Sequence, residues 1–328
     1  MSFYLWGIGM RAAVVEGYGG VERLQVRELQ PPGEPGTGEV LVRVRASSIN
    51  PLDSKIRMGQ LRFVRPAKFP LIPGFDLAGE VEAVGPEVTR FAPGDTVFGQ
   101  TGGRHGGACA ELALVRESAL AAKPETLSFE EAAAIPMGGL TALQALRDQG
   151  ELAAGEWVLI HGASGGVGHF AVQIARIVGA RITAVASGRN QELLRDLGAE
   201  RTIDYQTQDF LDDEGTYQVI FNAAGKSSYG LCAPLLADKG VYVTTEVGPG
   251  TFFSVVTTRA RNLFGEDRRA RMVNVHARAA DLELLGRWIR EGRLSPEIDQ
   301  IFSLGEIRLA FEALESGHPR GKIVVRIA

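Results

Sequence analysis

The stretch "HGASGGVGHFAVQIAR", residues 161–176, decides the fold. It follows an apolar run, "WVLI", which has the composition of a buried strand, and its second half repeats apolar residues at helical spacing. Gly162, Gly165 and Gly168 stand between the two. Glycines at such a turn let the backbone approach a pyrophosphate, whose charge is met by the amides that begin the helix. The stretch therefore predicts a cofactor-binding turn; the alternative is that the glycines serve only tight packing.

The chain that follows repeats the alternation of strand and helix patterns. Strand-like runs are "RITAVAS" at 181–187, "YQVIFNAAG" at 217–225 and "GVYVTTEVG" at 240–248, and "NQELLRDLGA" at 190–199 is helical. Alternation of this kind is typical of βαβ units, which form a parallel sheet covered by helices on both faces. We therefore expect an α/β, doubly wound nucleotide domain.

The first third of the chain has a different pattern. Short β-branched runs such as "GEVLVRVRASSIN" at 38–50 and "LAGEVEAVG" at 77–85 alternate with glycine and proline turns, as in a small barrel. Ser128, with Glu131 three positions on, then predicts a helix start. We expect three segments: residues 1–126 form a β-barrel domain, 127–278 the nucleotide domain, and 279–328 a segment that returns to the first domain.

Composition indicates an ordinary protein of about two domains. The chain has 328 residues, 45% of them hydrophobic, and a net charge of −4, which gives no general electrostatic reason to expect nucleic acid or an acidic membrane as partner. Cys109 and Cys232 offer neither a disulfide framework nor a paired zinc clamp, which favours the cytoplasm. The opening "MSFYLWGIGM" is too short to span a bilayer and lacks a basic start, and we interpret residues 1–9 as an extension ahead of Met10.

The end of the second nucleotide-domain strand favours NADPH over NADH. An NAD site has an acidic residue about 20 residues after the glycine turn, where it accepts hydrogen bonds from the ribose. Here the strand runs into "SGRN", in which Ser187, Arg189 and Asn190 can all donate. A guanidinium matches the oxygens of a phosphate, so the 2′-phosphate of NADPH is expected. If Arg189 is only a solvated loop residue, NADH is the alternative.

Six ordered motifs allow a family resemblance to be stated. They are "INPLD" at 49–53, "PGFDLAGEV" at 73–81, "FAPGDTVFG" at 91–99, "AAAIPMGGLTA" at 132–142, "GEWVLIHGASGGVGHFAVQIAR" at 155–176 and "FEALESGHPRGKIVV" at 311–325. With these motifs the chain resembles the zinc-independent quinone oxidoreductase branch, which includes ζ-crystallin-like proteins, of the medium-chain dehydrogenase/reductase superfamily. The resemblance covers nearly all of residues 10–328.

The resemblance implies a GroES-like domain, a Rossmann domain, a substrate cleft between them and a homodimer paired through Rossmann edges. It implies that Thr141 lies near the nicotinamide half of the cofactor and that Ser187 and Tyr205 approach the 2′-phosphate. Many relatives have lysine where this chain has Asn190, which puts the NADPH expectation in doubt unless Arg189 supplies the charge. The residues implied to line the pyrophosphate are Gly165, Gly166 and Val167, and those implied to line the rest of the cofactor are Asn222, Ala223, Ala224, Val247 and Gly248.

The resemblance also indicates whether a zinc site is present. In zinc-dependent relatives a cysteine in the region of Asn50 and a Gly-His-Glu turn at the place of "GFD", residues 74–76, carry the metal. Phe75 cannot ligate a metal, and His105 and Cys109 lie in a glycine-rich loop with no third ligand in sight. We therefore expect no metal. We expect Asp76 to accept hydrogen bonds from backbone amides of its own turn rather than to act in catalysis.

Without a Lewis acid, the chemistry favours conjugated acceptors. Hydride delivery to an enone or a quinone places charge on a delocalised enolate or phenolate, which a few hydrogen-bond donors can support. Asn50 could donate to the substrate oxygen, Lys55 could offer a cation, and Asp53 could orient either. The alternatives are that Asn50 caps the turn before Pro51, that Asp53 holds a loop amide, and that Lys55 is in solvent.

The leading interpretation is an NADPH-dependent reductase of quinones or α,β-unsaturated carbonyls, with small molecules as partners. A 2-enoyl-thioester reductase is the nearest alternative. A non-catalytic NADPH-binding or RNA-associated protein has only the basic run "RARNLFGEDRRAR", residues 259–271, in its favour. Residues that could form substrate-pocket walls are Arg62, Phe63, Phe252 and Phe253. His161, which ends the first Rossmann strand, is expected to pack under the cofactor.

Overall fold

The computed structural model describes residues 9–101, 106–246, 248–261, 267–317 and 319–328. Their contacts divide the chain into two compact units. The first unit runs to Met137 and takes in Ala277–Gly292 and Pro296–Ala328, and the second consists of Gly138–His276 and Arg293–Ser295.

The strands, in chain order, are β1 (Met10–Val15), β2 (Leu24–Leu29), β3 (Glu39–Ile49), β4 (Asp76–Val84), β5 (Thr96–Gln100), β6 (Leu112–Arg116), β7 (Leu120–Ala122), β8 (Trp157–His161), β9 (Arg181–Ala186), β10 (Arg201–Asp204), β11 (Tyr217–Asn222), β12 (Leu236–Thr244), β13 (Arg269–Met272), β14 (Ile298–Ser303) and β15 (Lys322–Arg326). The α-helices are α1 (Pro51–Arg57), α2 (Phe129–Ala133), α3 (Pro136–Gln144), α4 (Gly168–Val178), α5 (Gln191–Leu197), α6 (Tyr229–Cys232), α7 (Pro249–Arg261), α8 (Ala279–Arg290) and α9 (Ile307–Glu315). Within the described part of the chain, none of these helices is long and apolar enough to cross a bilayer.

The boundary between the units lies later than the sequence pattern placed it, because helix α2 stays with the first unit. Its predicted start is confirmed: Ser128 Oγ accepts the amide of Glu131 at 3.1 Å, and Glu131 Oε2 accepts the amide of Ser128 at 2.7 Å. The helix then packs on β3 and β4. The change from strand to helix pattern near residue 126 is therefore not the change of domain.

The first unit is built around the long strand β3. Its larger sheet has the order β14, β15, β3, β4, β5, β7, and β6 pairs with another part of β3. The register places Ser48 of β3 opposite Asp76 of β4, and Asp76 opposite Gln100 of β5. β15 pairs antiparallel with the same end of β3, so that Lys322 begins next to this row of polar residues. Neighbouring strands thus bring polar side chains from distant parts of the sequence to one place.

The second unit is a parallel sheet of six strands in the order β10, β9, β8, β11, β12, β13. Numbered from the first strand of the unit, this is 3-2-1-4-5-6, the order of a dinucleotide-binding fold. Val158, Leu159 and Ile160 of β8 are fully buried, as expected for a central strand covered on both faces. The predicted fold class, a barrel-like domain plus a doubly wound α/β domain, is confirmed.

Candidate active site

The glycine-rich turn lies where the sequence predicted it, between β8 and α4. Gly162 has a φ of +81°, in the left-handed region, and a Cβ there would lie 2.7 Å from Ala224 Cβ. A Cβ at Gly168 would lie 2.1 Å from the carbonyl oxygen of Gly162. Gly165 differs, because the nearest atom to a Cβ there is 3.5 Å away, an ordinary contact. Packing within the protein therefore requires the first and third glycines but not the second.

Backbone hydrogen bonds tie the turn to strand β9 and to the loop that follows β11. The amides of Gly162 and Ala163 both donate to the Val185 carbonyl at 3.0 Å. The carbonyl of His161 accepts the amides of Ala223 and Ala224 at 3.0 and 3.1 Å. Because the strands are parallel, their carboxyl ends meet along one border of the sheet, which we call the carboxyl edge. The predicted cofactor residues of the loops after β8, β9, β10 and β11 all lie along it.

Asn190 is buried at this edge, with 4% of its surface exposed. Its Nδ2 donates to Ser164 Oγ at 2.9 Å and to Ser187 Oγ at 3.1 Å. Each serine hydroxyl accepts a hydrogen from the amide, so each keeps its own proton to donate elsewhere. Asn190 Oδ1 is buried and has no hydrogen-bond partner among the described residues. Asn190 is thus placed to hold two serines, and Ser164 is a residue that the sequence analysis did not single out.

The other residues expected near the 2′-phosphate are more open. Arg189 is exposed, and Tyr205, at the end of β10, is 48% exposed. Between Ser187 and Arg189, Gly188 lies against an acidic group: a Cβ at Gly188 would be 2.6 Å from Asp204 Oδ2. This carboxylate stands beside the expected phosphate position, and Asp204 is not among the residues predicted from the sequence.

Asn222, expected to line the cofactor, is fully buried and holds a loop instead. Its Nδ2 donates to the Ser227 carbonyl at 3.0 Å and to the Tyr242 hydroxyl at 2.9 Å, and its Oδ1 accepts the Lys226 amide at 3.3 Å. It therefore shapes the loop that contains Ala223 and Ala224, both of which have exposed surface.

The remaining predicted cofactor residues are placed as follows. Thr141 is buried in α3, and Gly166, Val167 and Gly248 are partly exposed. Val247 lies outside the described residues. His161 stacks on Phe210 with ring centroids 4.7 Å apart, and burial lowers the pKa of His161, which favours a neutral imidazole.

The second group of candidate residues is in the first unit. We call Ser48, Asn50, Asp53, Asp76, Gln100 and Lys322 the polar cluster; all six are buried. Asp76 is its centre. One carboxylate oxygen, Oδ2, accepts from Ser48 Oγ at 2.8 Å and Asn50 Nδ2 at 2.9 Å, and lies 3.4 Å from Lys322 Nζ. The other, Oδ1, accepts from Gln100 Nε2 at 3.3 Å and from the amide of Met137 at 2.9 Å.

The expectation that Asp76 is a hydrogen-bond acceptor was right, but its donors were wrong. They come from β3, β5, α3, β15 and Asn50, which lies between β3 and α1, rather than from backbone amides of its own turn. The reason is that Asp76 begins β4, where its side chain stands among neighbouring strands. Five donors on one buried carboxylate give the ion the partners that it needs away from water.

Asp53 holds two backbone amides, as its structural alternative stated. Its Oδ2 accepts the amide of Asn50 and its Oδ1 accepts the amide of Gly74, both at 2.8 Å. Asp53, the third residue of helix α1, therefore fixes the backbone at Asn50, the residue that precedes the helix. Lys55, on the same helix, is partly exposed, and its side chain forms no hydrogen bond or ion pair with the described residues. The structure brings Asn50 and Asp53 together and leaves Lys55 outside the polar cluster.

Lys322 is the member of the polar cluster that the sequence analysis missed. It is 4% exposed, and its Nζ donates to Asn50 Oδ1 as well as to Asp76. The sequence offered one weak signal: a lysine begins the apolar strand "KIVV".

Comparison with known proteins places the chain in a family. The family model for the alcohol dehydrogenase GroES-like domain matches residues 36–141, and the model for zinc-binding dehydrogenase matches residues 197–325. The chain is 34% identical over 325 residues to the chloroplastic quinone-oxidoreductase QR1 of Triphysaria versicolor, covering 96% of this chain and 98% of that protein. The chain belongs to the quinone oxidoreductase branch of the medium-chain dehydrogenase/reductase superfamily.

Two further similarities support this placement. The chain is 32% identical to the chloroplastic NADPH-dependent alkenal/one oxidoreductase of Arabidopsis thaliana, over 96% of this chain and 79% of that protein. The quinone oxidoreductase from Coxiella burnetii has a TM-score of 0.87 and 32% identity, over 97% of this chain and 99% of that one. As a member of this superfamily, the chain is a pyridine-nucleotide-dependent oxidoreductase.

The carboxyl edge fits a dinucleotide of this kind. Gly165 has room for a Cβ within the protein, so a glycine there leaves space into which another molecule could approach the backbone closely. The unpartnered Asn190 Oδ1 is a buried acceptor that a ribose hydroxyl could satisfy.

The polar cluster does not fit zinc, although one matching family model carries that metal in its description. Phe75, which precedes Asp76, has no lone pair to offer. The two cluster oxygens that a metal could take, Asn50 Oδ1 and Asp76 Oδ2, already face the ammonium of Lys322. A divalent cation at these oxygens would stand next to another buried cation.

The other suggested metal ligands are His105 and Cys109. His105 lies outside the described residues. Cys109 is buried with its Sγ 3.6 Å from Ser47 Oγ, and burial raises the pKa of its thiol to about 12, which disfavours the thiolate that zinc binds. In the described ranges, no group of three or more His, Cys, Asp and Glu side chains is arranged to hold a metal.

Proposed function

We propose that this protein transfers a hydride from NADPH to quinones or α,β-unsaturated carbonyls without zinc. The observation that carries the choice of acceptor is the polar cluster, in which Asn50 presents a neutral amide donor and Lys322 occupies the oxygens that a metal would need. A saturated ketone requires strong stabilisation of a localised alkoxide, whereas an enolate or a hydroquinone anion requires less. The relatives named above act on acceptors of the second kind, by their names.

NADPH would be held along the carboxyl edge. Ser187, Arg189 and Tyr205 are the proposed partners of the 2′-phosphate, with Asn190 holding Ser187 in place. The amides of Gly166 and Val167 would receive the pyrophosphate at the start of α4, where the helix dipole favours negative charge. Gly165, whose own amide donates to the Gly162 carbonyl at 3.2 Å, would line the pyrophosphate without binding it through that amide. Thr141, Ala223, Ala224, Val247 and Gly248 are proposed to line the rest of the cofactor.

When bound, NADPH would supply a hydride, that is, one proton with two electrons, to the β-carbon of an enone, and a proton from water or from a hydroxyl of the nicotinamide ribose would complete the saturated ketone. The chain's own task is to support the charge that develops on the substrate oxygen. Asn50 is the proposed donor to that oxygen, and Asp53 fixes the Asn50 backbone through its amide. Lys55, which is partly exposed and lies outside the polar cluster, would offer a cation to the charge on the substrate oxygen.

The test is a set of initial rates with protein dialysed against a chelator. NADPH and NADH are each offered with a small enone, its saturated ketone, a naphthoquinone and a crotonyl thioester. We expect NADPH-selective turnover of the enone and the quinone and none of the saturated ketone. Faster turnover of the thioester than of the enone would make a 2-enoyl-thioester reductase the better description. NADPH binding without turnover of any acceptor would contradict the proposal and favour a non-catalytic role.

We also propose a homodimer formed through the outer strand of the Rossmann sheet. β13 pairs only with β12 in the described sheet, so one side of it can take another strand. α7 packs against β13 and exposes Phe252 and Phe253, at 70% and 69%. A sedimentation measurement that gives the mass of one chain at micromolar concentration would exclude this dimer.

A cytoplasmic location is proposed from the cysteines. Cys109 and Cys232 are both free and buried, which suits a reducing compartment. The two plant relatives above are named as chloroplastic. Fractionation of the native cell, with markers for the cytoplasm and for organelles, decides between them.

A further inference from the structure

Lys322 has a buried ammonium with an unusual pair of partners. It begins β15, and its Nζ lies 3.4 Å from Asp76 Oδ2 and donates to Asn50 Oδ1. A buried ammonium is costly unless it is paired and hydrogen-bonded. Asp76 by itself already supplies the opposite charge that the ammonium needs. The additional contact with a neutral amide oxygen connects the ion pair to the proposed donor of the substrate oxygen.

The two ions fix which way the Asn50 amide faces. A lysine ammonium can only donate, so the atom that it contacts must be the amide oxygen, and an ionised carboxylate can only accept, so Asp76 must face the amide nitrogen. A flipped amide would set an N–H group against the ammonium and an oxygen against the carboxylate. Asp76 itself is anchored by Ser48, Gln100 and Met137, so it cannot move to suit the amide.

This arrangement leaves one N–H of Asn50 for another acceptor. The nitrogen has two hydrogens, and Asp76 takes one; within the described ranges no second acceptor contacts it. A cation on the oxygen of an amide draws electron density from the nitrogen, so the remaining N–H becomes a stronger donor. The polar cluster therefore orients the Asn50 amide and strengthens it at the same time.

We propose that Lys322 is a positioning residue for hydride transfer, acting through Asn50. This inference rests on the proposed function, in which Asn50 donates to the substrate oxygen as that oxygen gains charge. A strengthened and fixed donor stabilises the transition state more than it stabilises the bound substrate, because the substrate oxygen carries more charge in the transition state. Loss of Lys322 should therefore lower kcat and change the KM for the acceptor little.

The test is a double-mutant cycle with Asn50→Ala, Lys322→Met and the combined variant. Lys322→Met keeps the length of the side chain and removes its charge. In single-turnover oxidation of NADPH by a naphthoquinone, we expect Asn50→Ala to slow the step by about 100-fold, the lower end of the range for a lost donor. We expect Lys322→Met to slow it by about 10-fold, and the combined variant to be no slower than Asn50→Ala alone.

Two further variants separate positioning from folding. Arg57→Met is a matched control, because Arg57 is a fully buried cation of the same unit, ion-paired with Glu315 and outside the polar cluster. It should lower the melting temperature and leave the single-turnover rate per folded molecule unchanged.

If Lys322→Met does not fold, the cycle is run with Asp76→Asn and Lys322→Met together, which removes both charges and leaves neither ion unpaired.

The outcomes distinguish the two proposals. Independent losses, in which the combined variant is slower than Asn50→Ala by the full Lys322→Met factor, would overturn the role of Lys322 and leave the proposed function in place. A wild-type rate for Lys322→Met alongside a slow Asn50→Ala would do the same. A wild-type rate for Asn50→Ala would overturn both this inference and the proposed donor, and wild-type protein that turns over no quinone or enone would overturn the proposed function itself.

Discussion

Replacing Asp53 with asparagine should remove part of the pH dependence of folding. Asp53 is buried, and its two oxygens accept the amides of Asn50 and Gly74. Burial raises the pKa of Asp53 from 3.8 to about 7; the two amides oppose this, the nearby Asp76 adds to it, and Lys322 opposes it. The native protein therefore holds a proton on Asp53 at pH values where the unfolded chain has lost it.

The difference between the folded and unfolded pKa of Asp53 makes the folding stability fall as the pH rises. A raised folded pKa stabilises the native state most below pH 4, and the contribution is lost as the pH rises through about 7. The interval from 3.8 to about 7, at 1.36 kcal/mol for each pKa unit, corresponds to about 4 kcal/mol in total. About 2.5 kcal/mol of it should disappear between pH 5 and pH 8.

The measurement is the free energy of unfolding by urea at pH 5, 6, 7 and 8, for wild type and Asp53→Asn. We expect the wild type to lose about 2.5 kcal/mol more than the variant across this range. Asp95→Asn is the matched control, because Asp95 accepts the amide of Ala92 at 2.8 Å with the same three-residue spacing but is exposed. It should keep the wild-type pH dependence. An Asp53→Asn variant with the wild-type dependence would refute the reasoning.

The remaining predictions concern the carboxyl edge and are read by NADPH titration and thermal unfolding. Gly168→Ala should lower the melting temperature and weaken NADPH binding, because its Cβ would lie 2.1 Å from a carbonyl oxygen; unchanged values would contradict this. Gly165→Ala should keep the melting temperature and weaken NADPH binding about 10-fold; unchanged binding would show that no ligand approaches the backbone there. Ser187→Ala should weaken NADPH binding about 10-fold and NADH binding little. Equal losses for the two cofactors would contradict a contact between Ser187 and the 2′-phosphate. Asn190→Ala should weaken NADPH by a similar factor, because both serines lose their holding amide.

The features that the sequence predicted are those set by local pattern. The apolar run of β8 and the glycines after it are contiguous, so their strand, turn and helix could be read directly. The capping pair of Ser128 and Glu131 is equally local.

The features that the sequence did not predict depend on contacts between distant residues. Lys322 meets Asn50 across 272 positions and Asp76 across 246, and only the pairing of β15 with β3 brings them together. The donors of Asp76 were misassigned for the same reason. Ser164 was passed over because its contact, Asn190, comes from the loop after the next strand. A single sequence does not show which polar residues share a buried site.

The most direct test of metal-free conjugate reduction follows the transferred hydrogen. Protein dialysed against a chelator is given NADPH that carries two deuterium atoms at C4 of the nicotinamide, with a small enone in ordinary water, and the product is examined by NMR. We expect the saturated ketone with one deuterium on the β-carbon and none on the α-carbon, at the rate of untreated protein. Deuterium on the carbonyl carbon of an allylic alcohol, or activity that is lost on chelation and restored by zinc, would contradict the proposed chemistry.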